Sequence, residues 1–273
     1  MAEGIVQGLV PVPGGPGGPG EAIRAAGVAQ GGGVLADGGV DSAVHGRGRR
    51  ARGSRASKGS QVITDGGTPL RLFVFARHAE SAANVGHVLS TDPSRPVALT
   101  ERGRAQARAL GAQLANVPID LAVSSRLLRT RETISIALDG RPVPVLTEPG
   151  LDEIQAGDLD GGPMEAYWDW LGQHTATDRL PHGESVDDAL RRYGGALRRL
   201  LARAGSVTLV VTHELALRHV AGAAAPGRPP GPGTDFPNAV PYLFDEHAVR
   251  RAAAGLADPE PTTHPGQRIA RNV

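Results

Sequence analysis

The sequence predicts an α/β fold: a three-layer α/β/α sandwich in which helices cover both faces of a mostly parallel central sheet. Short apolar runs rich in β-branched residues have the length and composition of buried strands. Stretches with the apolar spacing of helices alternate with these runs, and such alternation is typical of layered domains with parallel sheets. The strands are predicted at residues 70–76, 120–124, 143–147 and 207–212.

Capping residues indicate where the helices begin. Thr100 is a suitable N-cap for a helix that runs to about residue 116. Ser185 and Asp188 form a variant of the capping box at the start of a longer helix. A further short helix is predicted at residues 215–225. One apolar face of the longer helix consists of Val186, Leu190, Tyr193, Leu197 and Leu201.

Composition divides the chain into three parts. Seventeen of the 38 glycines lie in the first 60 residues, where large apolar residues are scarce. Such a stretch cannot bury enough surface to offset its backbone entropy, so we predict that residues 1–68 form a disordered Gly/Pro/Arg-rich segment. We place the folded domain at residues 69–246. Residues 247–273 are polar and contain three prolines, and we predict a flexible C-terminal tail there.

Overall charge and composition argue against several classes of protein. The formal net charge is +1 and only 3% of residues are aromatic, so we expect no specific binding to nucleic acid. The chain has no cysteine, which excludes disulfides and thiolate metal sites and favours a cytoplasmic location. No apolar run approaches the roughly 18 residues that span a bilayer, so no membrane partner is predicted.

Basic and imidazole side chains follow two of the predicted strands. Arg77 and His78 come directly after the first strand, and His213 directly follows residues 207–212. In open α/β sheets, ligands bind beyond the carboxyl ends of the strands. An arginine beside histidines at that edge suits a dianion such as phosphate. The sequence therefore predicts an anion site that these residues share.

Further motifs stand between those two histidines, and together they resemble the histidine phosphatase superfamily, also called the phosphoglycerate mutase-like family. Residues 77–81, R-H-A-E-S, resemble its R-H-G-E-[ST], and Asn84 stands where the family keeps an asparagine. Five further stretches resemble family motifs in the same order along the chain: residues 99–107, 124–133, 151–161, 183–185 and 211–213.

The resemblance implies a role for each matched residue. His78 would attack phosphorus and form a phosphohistidine, and Glu153 would act as the general acid and then activate water. His213 would complete the catalytic set. No metal or other cofactor is implied. The residues expected to bind the phosphate group are Arg77, Asn84 and Arg129.

The function implied is a metal-independent phosphatase that hydrolyses phosphate monoesters. The expected substrate is a small-molecule phosphate ester, with a phosphoprotein as a further possibility, and the expected assembly is a monomer or homodimer. A phosphoglycerate mutase is the alternative within the family. Only 59 residues separate Glu153 from His213, whereas mutases of the family carry a longer insertion there. A non-catalytic phosphate-binding module is the alternative from another class.

Three positions depart from the family pattern. Ala79 replaces a glycine and requires only an ordinary backbone conformation. Glu214 follows His213 where a glycine is usual, which places a carboxylate near the predicted phosphate site. Leu159 occupies a position that is commonly tryptophan. We expect these differences to affect substrate preference more than the reaction.

Overall fold

A five-stranded sheet forms the centre of the domain, with the strand order β3-β2-β4-β1-β5. This computed structural model describes residues 71–203, 205–225 and 234–257, so the predicted disordered segment lies outside the described residues. Strands β1 to β4 are parallel, and β5 pairs antiparallel with β1. The strands are β1 (Leu72–Arg77), β2 (Leu121–Ser124), β3 (Val145–Thr147), β4 (Val207–Thr212) and β5 (Pro241–Asp245).

The helices lie on both faces of this sheet, and short 3₁₀ turns at Pro149–Leu151 and Gly157–Leu159 follow β3. Among the described residues, none of the helices is long and apolar enough to cross a membrane. The helices are α1 (Ala82–Val85), α2 (Glu101–Gln113), α3 (Leu128–Leu138), α4 (Met164–Leu171), α5 (Val186–Arg203), α6 (Glu214–Ala224) and α7 (Glu246–Gly255).

Alternation along β1 explains why two helical layers form. Successive side chains of a strand point to opposite faces of the sheet. Phe73 and Phe75 therefore pack with α5, α6 and α7 on one face. Val74 and Ala76 pack with α2 and α3 on the other. The predicted α/β sandwich with a mostly parallel sheet is confirmed.

The capping residues act as the sequence predicts. The hydroxyl of Thr100 accepts a hydrogen bond from the amide of Gly103, and α2 begins at the next residue, Glu101. The amide of Asp188 donates to the hydroxyl of Ser185, and the amide of Ser185 donates back to the Asp188 carboxylate. These reciprocal bonds satisfy backbone donors that the first turn of α5 leaves free.

Helix α7 corrects the predicted end of the domain. The sequence predicts a flexible tail at residues 247–273, but most of residues 247–257 form α7, which is capped by Asp245 and packs against α5 and α6. Residues 258–273 lie outside the described residues. Arginines and a glycine made this stretch look polar, although its buried residues recur with helical spacing. These buried residues are Ala248, Val249, Ala252, Ala253 and Leu256.

We predict that Val249→Ala lowers the free energy of unfolding by about 2 kcal/mol, because Val249 is fully buried and the change removes two carbon atoms from a packed core. Urea denaturation measures the difference. Val85→Ala is the matched control, since Val85 is 62% exposed and should change stability by less than about 0.5 kcal/mol. Equal effects of the two substitutions would show that α7 does not pack as described.

Candidate active site

The carboxyl ends of β1, β2 and β4 meet at one edge of the sheet and bring two histidines together. His78 follows β1, and its amide donates to the carbonyl of Thr212, the last residue of β4. His213 is the next residue. The centroids of the two imidazole rings are 5.3 Å apart, and the two residues are only 3% and 0% exposed, respectively. The parallel pairing of β1 with β4 therefore produces the juxtaposition that the sequence predicts.

The hydrogen bonds of His78 fix its tautomer. Its Nδ1 lies 2.8 Å from the carbonyl oxygen of Ala79, which can only accept, so Nδ1 carries the proton. Nε2 accepts from Nε of Arg129 at 3.0 Å. Burial, and then the charges of Arg129 and Arg77, hold the pKa of His78 well below its usual value. Nε2 is consequently unprotonated, and its lone pair accepts the hydrogen bond from the guanidinium group.

Arg129 links both histidines. It stands in the first turn of α3, and its Nη2 donates to Nδ1 of His213 at 3.2 Å. The same nitrogen donates to the carbonyl of Ser90 at 2.9 Å. Burial lowers the pKa of Arg129 to about 10, which leaves the side chain cationic at neutral pH. A buried, oriented positive charge therefore lies between two neutral imidazoles.

His213 is held from its other side by hydroxyl groups that sequence reasoning did not single out. Because Nδ1 accepts from Arg129, Nε2 of the neutral ring carries the proton and donates to Oγ of Ser125 at 2.8 Å. The hydroxyls of Ser125 and Thr130 are also hydrogen-bonded to each other at 2.9 Å. Burial and the charge of Arg129 keep the pKa of His213 well below its usual value.

Glu153 faces the same cluster. Its Oε2 is 4.0 Å from Nδ1 of His213, and its side chain is 17% exposed. Oε1 accepts a hydrogen bond from the amide of Ile154 at 3.0 Å. Burial raises the pKa of the carboxyl, and the nearby charge of Arg129 opposes that shift. A partly accessible carboxyl group of raised pKa is suited to exchanging protons with a bound molecule.

Arg192 holds the loop that carries Glu153. Its guanidinium donates to three carbonyl oxygens of this loop, those of Gly150, Asp152 and Glu153. Glu184 pairs with two nitrogens of Arg192 at 2.8 and 2.7 Å and also accepts from the amide of Gln155. Sequence reasoning missed Arg192, which looks like a surface residue of α5.

Helix α2 supports the turn after β1. The backbone amide and hydroxyl of Thr100 donate to the carbonyl and carboxylate of Glu80. The amide of Glu80 donates to Oε1 of Gln106 at 2.8 Å. A Cβ at Gly103 would lie 1.9 Å from the carbonyl oxygen of Glu80, so only glycine allows this approach. The turn that presents His78 is therefore docked directly on α2.

Arg77, at the end of β1, points to the rim of the cluster. Its Nη1 lies 2.7 Å from Oε2 of Glu214 and donates to the carbonyl of Phe236 at 3.2 Å. Within the described part of the chain, its Nε is buried and has no hydrogen-bond partner. This donor remains available to an anion.

Asn84 is the predicted site residue that the structure does not bring into contact with the histidines. Its Oδ1 accepts from the amide and hydroxyl of Ser81, both at 2.9 Å, and closes the capping box of α1. Ala79 is buried and is absent from the described residues with positive φ, in agreement with its predicted ordinary backbone. Among the residues described, no group of His, Asp and Glu could hold a metal ion.

Comparison with known proteins identifies the family. Residues 73–241 match the family model of the histidine phosphatase superfamily (branch 1). The chain belongs to this superfamily. It is 33% identical over 149 residues to the "Probable phosphoglycerate mutase GpmB" of Yersinia pestis (strain Pestoides F), an alignment that covers 52% of this chain and 68% of that relative.

Solved structures show the same relationship. The α-ribazole phosphatase of Shigella flexneri has a TM-score of 0.50 and 27% identity, over 56% of this chain and 79% of that one. Bacillus stearothermophilus YhfR has a TM-score of 0.52 and 26% identity, over 59% and 82%. The predicted family and its fold are thus confirmed. The superfamily and these similar proteins comprise phosphatases and mutases, which supports a phosphatase enzyme.

We predict that His213 makes folding sensitive to acid. The folded protein keeps this imidazole neutral, whereas the unfolded chain binds a proton near pH 6.5, so the stability of the native state falls as pH drops below that value. In His213→Gln this contribution is absent. Urea denaturation from pH 8 to pH 5 should show the wild-type free energy of unfolding falling relative to the variant by up to about 1.4 kcal/mol per pH unit. A constant difference across this range would contradict the buried, neutral state of His213.

Proposed function

We propose that the protein is a metal-independent phosphatase that hydrolyses phosphate monoesters through a phosphohistidine on His78. The observation that carries this proposal is the state of the His78 ring. Nδ1 is bound to the carbonyl of Ala79, and the unprotonated Nε2 faces the Nε of Arg129 at 3.0 Å. A nucleophile and a cation that meet at one buried point suit in-line attack on a phosphoryl group.

In the first step, Arg129 shifts its hydrogen bond from Nε2 of His78 to the bound phosphate, which frees the lone pair of Nε2. Nε2 then forms a bond to phosphorus while the bond from phosphorus to the ester oxygen breaks. The leaving oxygen takes a proton from Glu153, whose raised pKa favours the protonated form that this transfer needs. The alcohol departs and a phosphohistidine remains. The ring becomes positively charged as Nε2 bonds to phosphorus, and the carbonyl oxygen of Ala79 stabilises this charge through its hydrogen bond with Nδ1.

In the second step, the ionised Glu153 takes a proton from water, and the resulting hydroxide attacks phosphorus. The bond between phosphorus and Nε2 breaks, which releases inorganic phosphate and restores neutral His78. Glu153 ends the cycle protonated, as it began. One carboxyl group therefore serves both steps, as acid and then as base.

Fixed donors stabilise the negative charge of both transition states. Arg129 is already oriented by Ser90 and the histidines, and Arg77 has a buried Nε without a partner in the described part of the chain. A bound dianion would favour protonation of His213, which could then donate, and Asn84 can offer its side-chain NH2 group because the capping box uses only its Oδ1. A donor that is already oriented typically contributes about 3 kcal/mol.

A phosphoglycerate mutase is the second candidate, favoured by the name of the Yersinia relative. The chain between Glu153 and β4 supports hydrolysis instead, because a 3₁₀ turn, two helices and their connections take up most of its residues. Among the described residues of this stretch, the longest segment outside these elements is residues 172–185, and we infer that it is too short to enclose an alcohol while it is rephosphorylated. Incubation with 3-phosphoglycerate distinguishes the two, since a phosphatase releases inorganic phosphate and a mutase yields 2-phosphoglycerate.

We also propose that the substrate is a small-molecule ester or a phosphoprotein and that the enzyme works in the cytoplasm. A purely phosphate-binding module would not need Glu153 beside His213. A screen of phosphorylated metabolites and phosphopeptides, with and without a chelator, identifies the substrate class and tests metal independence.

We predict that His78→Ala lowers kcat for p-nitrophenyl phosphate by roughly a thousandfold or more, because the nucleophile is lost. His247→Ala is the matched control, since His247 is exposed on α7 at the other end of the domain. Circular dichroism verifies that both variants are folded. Undiminished turnover in a folded His78→Ala variant would refute the nucleophile assignment.

We predict that Glu153→Gln affects substrates according to their leaving group. An alkyl ester such as glycerol 3-phosphate needs a proton on its leaving oxygen, so its kcat/KM should fall by about a hundredfold or more. The kcat/KM of p-nitrophenyl phosphate should fall by less than about tenfold, because nitrophenolate leaves without protonation. Equal losses for both substrates would argue against Glu153 as the general acid.

A further inference from the structure

Glu214 lies at the rim of the candidate site and pairs with two arginines. It is the first residue of α6, directly after His213. Its Oε2 is 2.7 Å from Nη1 of Arg77, and its Oε1 accepts from Nη2 of Arg218 at 2.9 Å. Its side chain is 33% exposed. The carboxylate therefore touches a residue of the proposed phosphate site while remaining accessible from outside.

Neighbouring contacts hold this carboxylate in place. Arg218 also donates to the carbonyl of Thr234 at 2.7 Å, and its guanidinium lies over the ring of Phe236. Arg77 Nη1 donates to the carbonyl of Phe236. The N-terminal position in α6 further favours a negative charge. Glu214 is thus a fixed charge of the pocket rim.

The position of Glu214 has two electrostatic effects. Glu214 engages Nη1 of Arg77, so a bound phosphate must use the other N–H groups of that guanidinium. These include Nε, which has no partner in the described part of the chain. Glu214 also reduces the combined charge of the group that it forms with Arg77 and Arg218 from two positive charges to one. The negative charge of Glu214 reaches Glu153, where it contributes to the raised pKa of that carboxyl.

We propose that Glu214 determines substrate specificity by disfavouring phosphate esters that carry a second anionic group near the scissile phosphate. This inference rests on the proposed function and names its substrate class: monoesters of uncharged or cationic alcohols. A carboxylate or second phosphate on an adjacent carbon would lie well within a Debye length of Glu214, about 8 Å at physiological salt. Its repulsion by Glu214 raises the free energy of the bound ester, whereas a hydroxyl group at the same place is tolerated.

The test compares two esters that differ at one carbon. Glycerol 3-phosphate and 3-phosphoglycerate share a skeleton and a scissile phosphate, but the second carries a carboxylate in place of a hydroxymethyl group. The quantity measured is the ratio of their kcat/KM values for hydrolysis. Each ester is also measured as a competitive inhibitor of p-nitrophenyl phosphate hydrolysis, which gives a second ratio where turnover is slow.

We expect Glu214→Gln to shift both ratios by about tenfold toward 3-phosphoglycerate, which corresponds to about 1.4 kcal/mol. The shift should shrink as salt is raised, because the repulsion is screened. Glu214→Asp keeps the charge and should retain the wild-type preference. A purely structural role of Glu214 would alter both esters alike and would show no dependence on ionic strength.

Glu246→Gln is the matched control. Like Glu214, Glu246 is the first residue of a helix and pairs with two arginines. These are Arg71 and, one helical turn after Glu246, Arg250. It lies beyond the opposite end of β1, because Asp245 pairs with Leu72 while Arg77 ends that strand. This variant should leave both ratios unchanged.

The possible failures are distinguishable. If wild-type protein hydrolyses no phosphate ester, the proposed function is wrong and the inference falls with it. If the wild type hydrolyses esters and folded Glu214→Gln leaves both ratios unchanged, only the role of Glu214 is overturned. A shift of equal size in Glu246→Gln would also overturn it, since the effect would then come from net charge alone.

Discussion

The buried guanidinium of Arg129 is the contact on which the arrangement of the site depends. A buried cation without partners would be very costly, and Arg129 is tolerated because imidazole nitrogens and the carbonyl of Ser90 accept its hydrogen bonds. In return, it requires an unprotonated acceptor on each imidazole. The tautomers of His78 and His213 thus follow from one side chain. The protonated nitrogen of each ring donates a hydrogen bond, in His78 to the carbonyl of Ala79 and in His213 to the hydroxyl of Ser125. Parallel pairing of β1 with β4 provides the geometry, and α3 delivers the arginine between the two strand ends.

Sequence patterns predicted the central part of this arrangement well. The bounds predicted for β4 agree with the structure, because six apolar and β-branched residues buried on both faces leave little ambiguity. Thr100 and Ser185 correctly predicted the starts of two helices, because their capping hydrogen bonds join residues only three positions apart and do not depend on the rest of the fold. The meeting of His78 with His213 followed from the rule that carboxyl ends of parallel strands share an edge. Local chemistry and sheet topology were sufficient in these cases.

Residues that act through distant loops were not predictable in this way. Arg192 has the spacing of an ordinary helix surface residue, and only the folded chain shows that it binds three loop carbonyls. Ser125 belongs to the motif at residues 124–133, but the sequence does not show that it contacts His213, and Ser90 carries no signal of its own. The first part of the predicted tail, residues 247–257, was misjudged for another reason: the small side chains of α7 bury little area each, so neighbouring arginines outweighed their periodicity. Alanines differ little from polar residues in hydrophobicity, so the helical spacing of the buried positions in α7 was not apparent.

The turn after β1 and the loop of Glu153 are secured in different ways. The turn after β1 rests on α2 through main-chain contacts at Glu80 and a glycine that admits no side chain. The loop of Glu153 is tied chiefly by the side chains of Arg192 and Glu184. A main-chain contact survives most substitutions, whereas each side-chain tie is lost with a single one. Replacement of Arg192 or Glu184 should therefore displace Glu153 while leaving His78 in place.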